Sequence, residues 1–315
     1  MSPVFRDDEG PCLAPRGSVV AIGAFDGVHR GHAALLARVR ERAAARGLAA
    51  VALSFEPLPR QYFGGRAAVP RLTTPYEKAK RLCALADHVG LLRFDARFAS
   101  TSPEAFVERV LVARLAAREV WVGREFRFGQ RRTGDFALLA VLGERHGFEA
   151  QAVEPVVNDG ERISATTIRT ALVAGELERA GRMLGRRWSM GGHVVHGNRL
   201  GRKLGFPTAN VRMRFGVAPV HGVFAVRVDG AGLAKAHGVA SVGTRPTVGG
   251  VEPLLEAHVF DFDGDLYGKR IDVEFVAKLR DEERFDSLEA MTQQMHRDAA
   301  RARAILQTAA ANAAA

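Results

Sequence analysis

The sequence has only two cysteines and no long apolar run. Cys12 and Cys83 lie far apart and lack CxxC spacing, which excludes a disulfide scaffold and a cysteine-based zinc cluster. No uncharged apolar stretch approaches the roughly 20 residues that cross a bilayer. The acidic N-terminus lacks the basic and apolar stretches of a signal peptide. We therefore expect a reduced, cytoplasmic protein with no membrane partner.

Acidic residues are outnumbered by basic ones, and the formal net charge is +10. A basic balance can serve nucleic-acid binding. However, the arginines are scattered along the chain rather than massed in one arm, a pattern that also suits anionic phosphate substrates. We therefore predict no nucleic-acid partner, and the composition predicts no particular oligomeric state.

The first half of the chain alternates strand-like with helix-like segments. Short apolar runs occur at residues 18–25, 48–55, 88–94, 119–123 and 148–157, and amphipathic helical patterns lie between them. This alternation predicts βαβ units and an α/β fold with an open parallel sheet. Ligands of such sheets bind at the carboxyl ends of the strands.

From about Trp188 onward, the pattern changes to short alternating runs with glycine-rich turns between them. These runs predict a small antiparallel β-barrel or sandwich. A closing helix follows, in which Leu288, Met291, Met295 and Ala299 recur with helical period and form the predicted apolar face. The composition changes near residue 185, which predicts domains at residues 1–185 and 186–315.

Two histidines occur in the stretch GAFDGVHRGH, where the first predicted strand passes into a helix. His29 and His32 could ligate a metal, exchange protons or bind phosphate. Zinc needs further protein ligands, and no histidine or cysteine cluster supplies them. Gly23, Gly27 and Gly31 allow the backbone to approach a ligand, and the helix N-terminus favours an anion. The stretch therefore favours phosphate binding.

Two later stretches contain residues suited to the same ligand. In ISATTIR, Ser164 and Thr166 place hydroxyls at a helix N-terminus, and Arg169 follows one turn along. In FRFGQRRTGD, a loop after a strand contains glycines and three arginines: Arg127, Arg131 and Arg132. Either stretch alone is also typical of a capped helix or a charged surface loop. Their occurrence together with the histidines favours a phosphate site.

HGNRLGRKLGFPTAN is the main candidate stretch of the second half. It lacks the GxxxxGK[ST] spacing of a P-loop. Its glycine-rich turn, with Arg202 and Lys203, can still hold phosphates. Thr208 and Asn210 offer neutral oxygens two residues apart, which suit a Mg²⁺ ion that also binds ATP phosphates.

The HxGH stretch resembles the signature of the nucleotidyltransferase superfamily. FEPLPRQYF, RLTTPYEKAKRL, VGREFRFGQRRTGD and the ISATTIR region follow it in the order seen in bacterial bifunctional riboflavin kinase/FAD synthetases. HGNRLGRKLGFPTAN resembles the riboflavin kinase signature of that family. The resemblance extends from Val19 to about Arg303. It implies a Rossmann-like nucleotidyltransferase domain, followed by a riboflavin kinase β-barrel with a terminal helix.

The resemblance also implies two reactions. The barrel domain would phosphorylate riboflavin with ATP to give FMN. The N-terminal domain would act as an FMN adenylyltransferase, moving AMP from ATP to FMN and releasing FAD and pyrophosphate. The expected partners are therefore the small molecules riboflavin, FMN, FAD and ATP, with Mg²⁺ as the cofactor.

The same resemblance implies roles for individual residues. The implied catalytic residues are Glu256, His29, His32 and Arg169. The residues implied to bind nucleotide or phosphate in the adenylyltransferase site are Gly23, Phe25, Asp26, Gly31, Ser164, Thr166, Arg127 and Arg132. The residues implied to bind ATP or flavin in the kinase site are Gly201, Arg202, Lys203, Gly205, Pro207, Arg245 and Arg280. The implied metal ligands are Thr208 and Asn210.

Two residues depart from the family pattern. Ala165 replaces the second serine of the usual ISST, which removes one hydroxyl, and Glu125 is one methylene longer than the usual Asp or Asn. These departures leave open an alternative, a protein that is chiefly a riboflavin kinase with a weakened synthetase site. A second alternative is a non-catalytic flavin- or nucleic-acid-binding regulator, although the sequence has no helix-turn-helix or base-stacking pattern.

Overall fold

A parallel sheet forms the centre of the N-terminal part of the protein. The computed structural model describes residues 4–64, 69–158, 160–197, 201, 204–212, 218–247 and 250–314. The strands of the sheet are β1 (Val4–Phe5), β2 (Ser18–Ile22), β3 (Ala49–Glu56), β4 (His88–Arg93), β5 (Ala117–Gly123) and β6 (Glu149–Val153). They lie in the order β1-β4-β3-β2-β5-β6, and each neighbouring pair is parallel. The predicted open parallel sheet is confirmed.

Helices connect these strands. They are α1 (Arg30–Arg46), α2 (Pro59–Gly64), α3 (Pro75–Cys83), α4 (Ala96–Ala99), α5 (Pro103–Phe106) and α6 (Phe136–His146). A π-helical stretch (Val107–Arg114) continues α5, and a 3₁₀ turn (Gln130–Arg132) precedes α6. After β6, the strands β7 (Val157–Asn158) and β8 (Glu161–Arg162) pair as a short antiparallel hairpin.

The sheet is buried on both faces, which explains the continuous apolar runs of its strands. In β2, Val20 and Ile22 belong to one apolar cluster, whereas Val19 and Ala21 belong to another. Because successive side chains of a strand point to opposite faces, the two clusters lie on opposite sides of the sheet.

Local signals in the sequence fix several helix ends. Ser102 caps α5 by accepting a hydrogen bond from the backbone N–H of Ala105 (3.1 Å), and Asp135 caps α6 by accepting one from Leu138 (3.0 Å). Gly47 ends α1 in the left-handed conformation, with φ 64°. These ends hold the helices at fixed positions against the sheet.

A closed antiparallel barrel forms the C-terminal part. Its strands are β9 (Ser189–Val195), β10 (Ala209–Arg212), β11 (Gly222–Gly230), β12 (Leu233–Thr247), β13 (Gly250–Val259) and β14 (Arg270–Arg280). They close in the order β10-β13-β12-β11-β14-β9, with β9 paired to β10. Two helices precede the barrel and one follows it: α7 (Ala165–Val173), α8 (Leu177–Leu184) and α9 (Leu288–Ala314). The predicted barrel with a terminal helix is confirmed.

Helix α9 packs on the barrel through residues further along the helix than the sequence predicts. Ala302 and Leu306 are buried against Val223 of β11, and Ala299 packs beside them. Leu288, in contrast, is 59% exposed. The predicted apolar face is therefore correct at Ala299 and wrong at Leu288, because the buried face begins about three turns into the helix.

The residues fall into two units. The first contains Met1–Val69 and Pro75–Ser164, and the second contains Pro70–Thr74 and Ala165–Ala315. Helices α7 and α8 therefore group with the barrel. The functional boundary after residue 185 stays a prediction, because compact units and functional domains need not end at the same residue. None of the helices in the described ranges is long and apolar enough to span a membrane.

The segment Pro70–Thr74 is held firmly within the second unit. Leu72 is buried, and its carbonyl oxygen accepts a hydrogen bond from the indole N–H of Trp188 (3.0 Å). Trp188 is also buried and lies against Phe275 of β14, with ring centroids 4.8 Å apart. A short piece of chain from the N-terminal half is thus part of the second unit's packing.

Candidate active sites

The stretch GAFDGVHRGH forms the turn between β2 and α1, at the carboxyl end of β2. His29 is the N-cap of α1, and its Nδ1 accepts a hydrogen bond from the backbone N–H of His32 (3.3 Å). Phe25 and Val28 have φ values of 47° and 41°, in the left-handed region. A strained turn of this kind persists only where its surroundings fix it, and such turns cluster at functional sites.

The imidazole rings of His29 and His32 stack, with centroids 3.6 Å apart and planes at 19°. The ring of Phe25 meets His32 edge-on at 5.0 Å. Burial lowers the pKa of His32 well below its ordinary value, and repulsion from His29 and Lys78 lowers that pKa further. At neutral pH, His32 is therefore a neutral ring with one N–H to donate.

Glycines allow this turn to pack closely. A Cβ on Gly23 would lie 3.3 Å from the ring of Phe25, and one on Gly31 would lie 3.1 Å from the ring of His29. The same added Cβ on Gly31 would lie 3.8 Å from the carbonyl oxygen of Ile163, the residue before Ser164. The turn, in which Asp26 is also buried, thus lies beside the chain that leads to Ser164.

The loop of residues 124–135 follows β5, whose carboxyl end lies beside that of β2 because the two strands are parallel neighbours. Gly129 is needed there, since a Cβ would lie 2.6 Å from the ring of Pro103. Arg131 and Arg132 follow with φ values of 53° and 61°. A second strained segment therefore occurs at the edge of the sheet where ligands of such folds bind.

The charged side chains of this loop differ in their contacts. Arg127 forms an ion pair with Asp135 (3.0 Å), whereas Arg132 is exposed. Glu125, which departs from the family pattern, forms an exposed ion pair with Arg162 (3.6 Å). Arg127 is therefore held within the loop, and Arg132 is accessible to a ligand.

Sequence reasoning missed an aromatic cluster at the same edge of the sheet. Tyr62 and Phe63 on α2, just after β3, are 38% and 69% exposed. The ring of Phe94, just after β4, lies 5.3 Å from Tyr62 and 5.8 Å from Phe63, and Phe55 and Phe98 pack behind it. Exposed rings with a rigid backing can bind a flat aromatic ligand. The signal in the sequence is the aromatic pair that follows a strand and two prolines.

The remaining residues predicted for adenylyl transfer are divided between the two units. Ser164 belongs to the first unit, and Thr166 and Arg169 lie on α7 in the second. The Nε of Arg169 donates to the carbonyl oxygen of Pro70 (2.5 Å), which anchors one edge of the guanidinium group. Ala165, the other departure from the family pattern, is the first residue of α7.

In the barrel, two candidate residues lie on adjacent strands. Asn210 of β10 is directly opposite Glu256 of β13, and Glu256 is directly opposite Ser241 of β12. Opposed residues of antiparallel strands share one face of the sheet. The next residues along these strands, Val211 and Leu255, are fully buried in the interior. Asn210 and Glu256 therefore lie side by side on the outer face of the barrel.

A cavity of about 300 Å³ lies beside Asn210. Its lining includes Thr208, Asn210, Asp263, Asp265 and Tyr267. Hydroxyl, amide and carboxylate oxygens are the ligands that Mg²⁺ prefers. Among the described residues, no three acidic, histidine or cysteine side chains group as a closed metal cage would require. The side chains that line the cavity therefore include oxygen donors of the kind that Mg²⁺ prefers.

The chain before β10 passes close to these residues because it contains glycines. A Cβ on Gly197 would lie 2.4 Å from the Nδ2 of Asn210, and one on Gly201 would lie 2.3 Å from the carbonyl oxygen of Phe206. Gly205 has a φ of 82°. The two basic residues predicted in this turn lie outside the described residues: Arg202 and Lys203.

His258 holds the chain segment that leads to the predicted metal ligands. The Nδ1 of His258 donates a hydrogen bond to the carbonyl oxygen of Pro207 (2.8 Å). Phe206, the residue before Pro207, is buried. Its ring centroid lies 5.1 Å from that of His258 and 4.9 Å from that of His296 on α9. Thr208 follows directly, so its position depends on this set of contacts.

Two further arginines were predicted to bind ATP or flavin. The Nε and Nη2 of Arg280 form an ion pair with the buried Asp298 of α9 at 2.9 and 2.8 Å, and its Nη1 donates to the carbonyl oxygen of Asp281 (2.9 Å). These contacts give Arg280 a role in docking α9 on the barrel. Arg245 belongs to β12, and its side chain lies outside the described residues.

The folds and sites define a class of protein, a nucleotide-dependent transferase with two units. One unit presents a phosphate-suited turn on a parallel sheet, and the other presents oxygen ligands and a carboxylate on a barrel. A family model described as FAD synthetase matches residues 13–167, and one described as riboflavin kinase matches residues 184–306.

Curated relatives match both parts together. The bifunctional riboflavin kinase/FMN adenylyltransferase of Escherichia coli strain K12 is 44% identical over 288 residues, which is 91% of this chain and 92% of that protein. The enzyme of the same description from Pseudomonas fluorescens is 45% identical over 291 residues, 92% of this chain and 93% of that protein. The chain therefore belongs to the bifunctional riboflavin kinase/FMN adenylyltransferase family.

A solved structure has the same overall fold. It is described as a macrolide-efflux protein from Streptococcus pneumoniae and is 29% identical in sequence, with a TM-score of 0.77. The match covers 94% of this chain and 97% of that one. The sheet and the barrel thus occur together in a protein of nearly the same extent.

Proposed function

We propose that the two reactions take place at separate sites, one in each unit. As a member of this family, the chain is a riboflavin kinase and an FMN adenylyltransferase, which makes FMN from riboflavin and FAD from FMN. One observation carries the assignment of sites. The FAD synthetase match covers the turn with His29 and His32, and the riboflavin kinase match covers the barrel with Asn210 and Glu256.

In adenylyl transfer, a phosphate oxygen of FMN attacks the α-phosphorus of ATP. The bond from that phosphorus to the bridging oxygen breaks, and pyrophosphate leaves with its electron pair. Negative charge develops on the α-phosphate and on the leaving group, so fixed donors accelerate the step. We assign this role to the N–H of His32, to His29 and to the N-terminus of α1, with no covalent intermediate.

Further phosphate contacts for this step come from hydroxyl and guanidinium groups. Within the first unit, Ser164 supplies a hydroxyl and Arg132 supplies charge that can pair with phosphate oxygens, whereas the roles of Thr166 and Arg169 stay predictions from the sequence. The exposed rings of Tyr62 and Phe63 provide a flat apolar surface for the flavin ring of FMN. Stacking there would leave the FMN phosphate to extend along the same sheet edge towards the histidines.

In the kinase step, the terminal hydroxyl of riboflavin's side chain attacks the γ-phosphorus of ATP, and ADP leaves. The carboxylate of Glu256 orients this hydroxyl and accepts its proton. Thr208 and Asn210 would hold Mg²⁺, which when bound neutralises charge on the ATP phosphates. The glycine-rich turn at Gly201 and Gly205 gives the phosphates access to backbone N–H groups.

We also propose the domain boundary, the partners and the location that the sequence predicts. The family matches end at residue 167 and begin again at residue 184, which supports a functional boundary near residue 185. The scattered arginines support the absence of a nucleic-acid partner, and we place the protein in the cytoplasm without a membrane partner.

The test is to incubate the purified protein with riboflavin, ATP and Mg²⁺ and to separate the flavins by chromatography. We expect FMN to form first and FAD to follow. Formation of neither flavin would refute the proposal. A second candidate, chiefly a riboflavin kinase, follows from Ala165 and Glu125, and it predicts that FMN accumulates without FAD at saturating ATP.

A further inference from the structure

A lysine is completely buried beneath the histidine turn. Lys78 lies on α3, and its side chain has no exposed surface. Its Nζ forms an ion pair with the Oε1 of Glu56 at 2.5 Å, and the Glu56 side chain is itself only 10% exposed. Lysine is almost never fully buried unless its charge is paired, and here the pairing carboxylate stands at the end of β3.

The same ammonium group binds further oxygens at the ends of two strands. Its Nζ donates to the Oγ of Ser54 and the carbonyl oxygen of Phe55, both at 3.1 Å, and approaches the carbonyl oxygen of Ala24 at 3.4 Å. The Oγ of Ser54 in turn donates to the carbonyl oxygen of Ala24 (3.0 Å). Lys78 therefore connects the carboxyl end of β3 with the first residues after β2.

Ala24 is the residue at which this network can act on the histidines. It precedes Phe25, whose positive φ requires support from its surroundings. The ring of Phe25 contacts His32, and the stacked His29 ring caps α1. A carbonyl fixed at Ala24 thus determines where Phe25 and, through it, both histidines lie.

Lys78 also acts on His32 through its charge. It is one of the groups that lower the pKa of His32, after burial and His29. A positive group that is sealed under the turn and paired with Glu56 cannot turn outward to bind a ligand itself. Lys78 can therefore affect an anionic substrate only indirectly, through the position of the histidine turn.

We propose that Lys78 is a positioning residue for adenylyl transfer, which holds the Ala24 carbonyl and the ends of β2 and β3 so that His29 and His32 meet the phosphates. This inference rests on the adenylyltransferase role proposed for the turn. Lys78 touches no substrate. Its removal misplaces the donors in the transition state more than it weakens substrate binding.

The test substitutes Lys78→Met, which keeps the apolar stem and removes the charge and the donors. The matched control is Lys80→Met on the same helix, where the side chain is exposed. FAD formation from supplied FMN and ATP should fall about 10²-fold in kcat for Lys78→Met, the usual cost of misplaced reacting groups. KM should change little, and Lys80→Met and the riboflavin kinase activity of both variants should match the wild type.

Nuclear magnetic resonance of the His32 ring shows whether the turn keeps its fold in the variant. In Lys78→Met, the pH at which His32 takes up a proton should rise, because one repelling charge is gone. A lysine that merely stabilises the fold would lower the unfolding temperature and the amount of active protein, but leave the kcat of the folded enzyme unchanged. That result would overturn the proposal.

A second variant covers the case in which Lys78→Met does not fold. Lys78→Met with Glu56→Gln removes both buried charges, so no unpaired carboxylate remains. This double variant should fold and still show the lowered kcat, and wild-type kcat in it would overturn the proposal. If the wild-type protein made no FAD from FMN and ATP, the adenylyltransferase role itself would fail, which the first measurement reveals separately.

Discussion

Glu119 is a buried carboxylate that pairs with two partly exposed arginines of the first unit, and its loss has a calculable cost. The carboxylate is fully buried at the start of β5. It accepts hydrogen bonds from Arg42 at 2.7 and 3.0 Å, from Arg46 at 2.5 Å and from the indole N–H of Trp121 at 3.2 Å. Chiefly through the bonds from Arg42, the pKa of Glu119 falls from 4.5 to about 2. A difference of that size corresponds to about 3 kcal/mol of stability at neutral pH.

The substitution Glu119→Gln removes the charge but keeps the shape. We expect the free energy of unfolding of the first unit to fall by about 2–3 kcal/mol, or the Tm by roughly 4–12 °C for a unit of this size. Urea unfolding followed by circular dichroism measures the first quantity, and heat inactivation of FAD formation measures the second. Glu41→Gln is the matched control. Glu41 pairs with Arg38 on the exposed side of α1, and such pairs contribute about 0–1 kcal/mol.

The pH dependence gives a second check. Because the folded-state pKa of Glu119 is depressed, its contribution is complete above about pH 5 and disappears as the pH falls towards 2. The difference in unfolding free energy between wild type and Glu119→Gln should therefore shrink by about 0.8 kcal/mol between pH 7 and pH 4. Equal stability of the two proteins at pH 7, or a gap that widens on acidification, would refute this reasoning.

Three further predictions concern the two reactions. His32→Ala should lower FAD formation by about 10²–10³-fold, the usual cost of one lost donor, with FMN formation in the same sample as the control. Gly31→Ala, whose Cβ would lie 3.1 Å from the ring of His29, should slow FAD formation roughly tenfold. Glu256→Gln should slow FMN formation by roughly 10²–10⁴-fold while FAD still forms from supplied FMN. Equal loss of both activities in any of these variants would contradict the assignment of separate sites.

The sequence predicts most of the fold because its signals are local. Continuous apolar runs identify strands buried on both faces, and capping residues such as Ser102 and Asp135 lie at the starts of helices. Alternation and glycine-rich turns identify the barrel strands in the same way. The face of α9 is less well predicted, because burial at Ala302 and Leu306 depends on where the barrel surface lies.

Candidate site residues can be recognised in the sequence only where they belong to one short stretch. The histidine turn is such a stretch. The contacts of Arg280 could not be predicted in this way, because its partner Asp298 lies 18 residues away on α9 and no local pattern indicates the pairing. The sequence indicates the burial of Lys78 only weakly. Lys78 lies one helical turn before the buried Leu82, on the same face of α3. A lysine at such a position is usually solvated, so this spacing alone does not predict that Lys78 is buried.

The placement of Pro70–Thr74 in the second unit means that a single cut of the chain cannot separate the two compact units intact. A fragment of residues 186–315 keeps the barrel strands but loses α7, α8 and the Leu72 carbonyl that accepts the Trp188 N–H. Such a fragment would expose a large buried aromatic ring and leave a polar group without its native partner. A fragment that is meant to keep the packing of the second unit therefore needs a replacement for the five residues Pro70–Thr74.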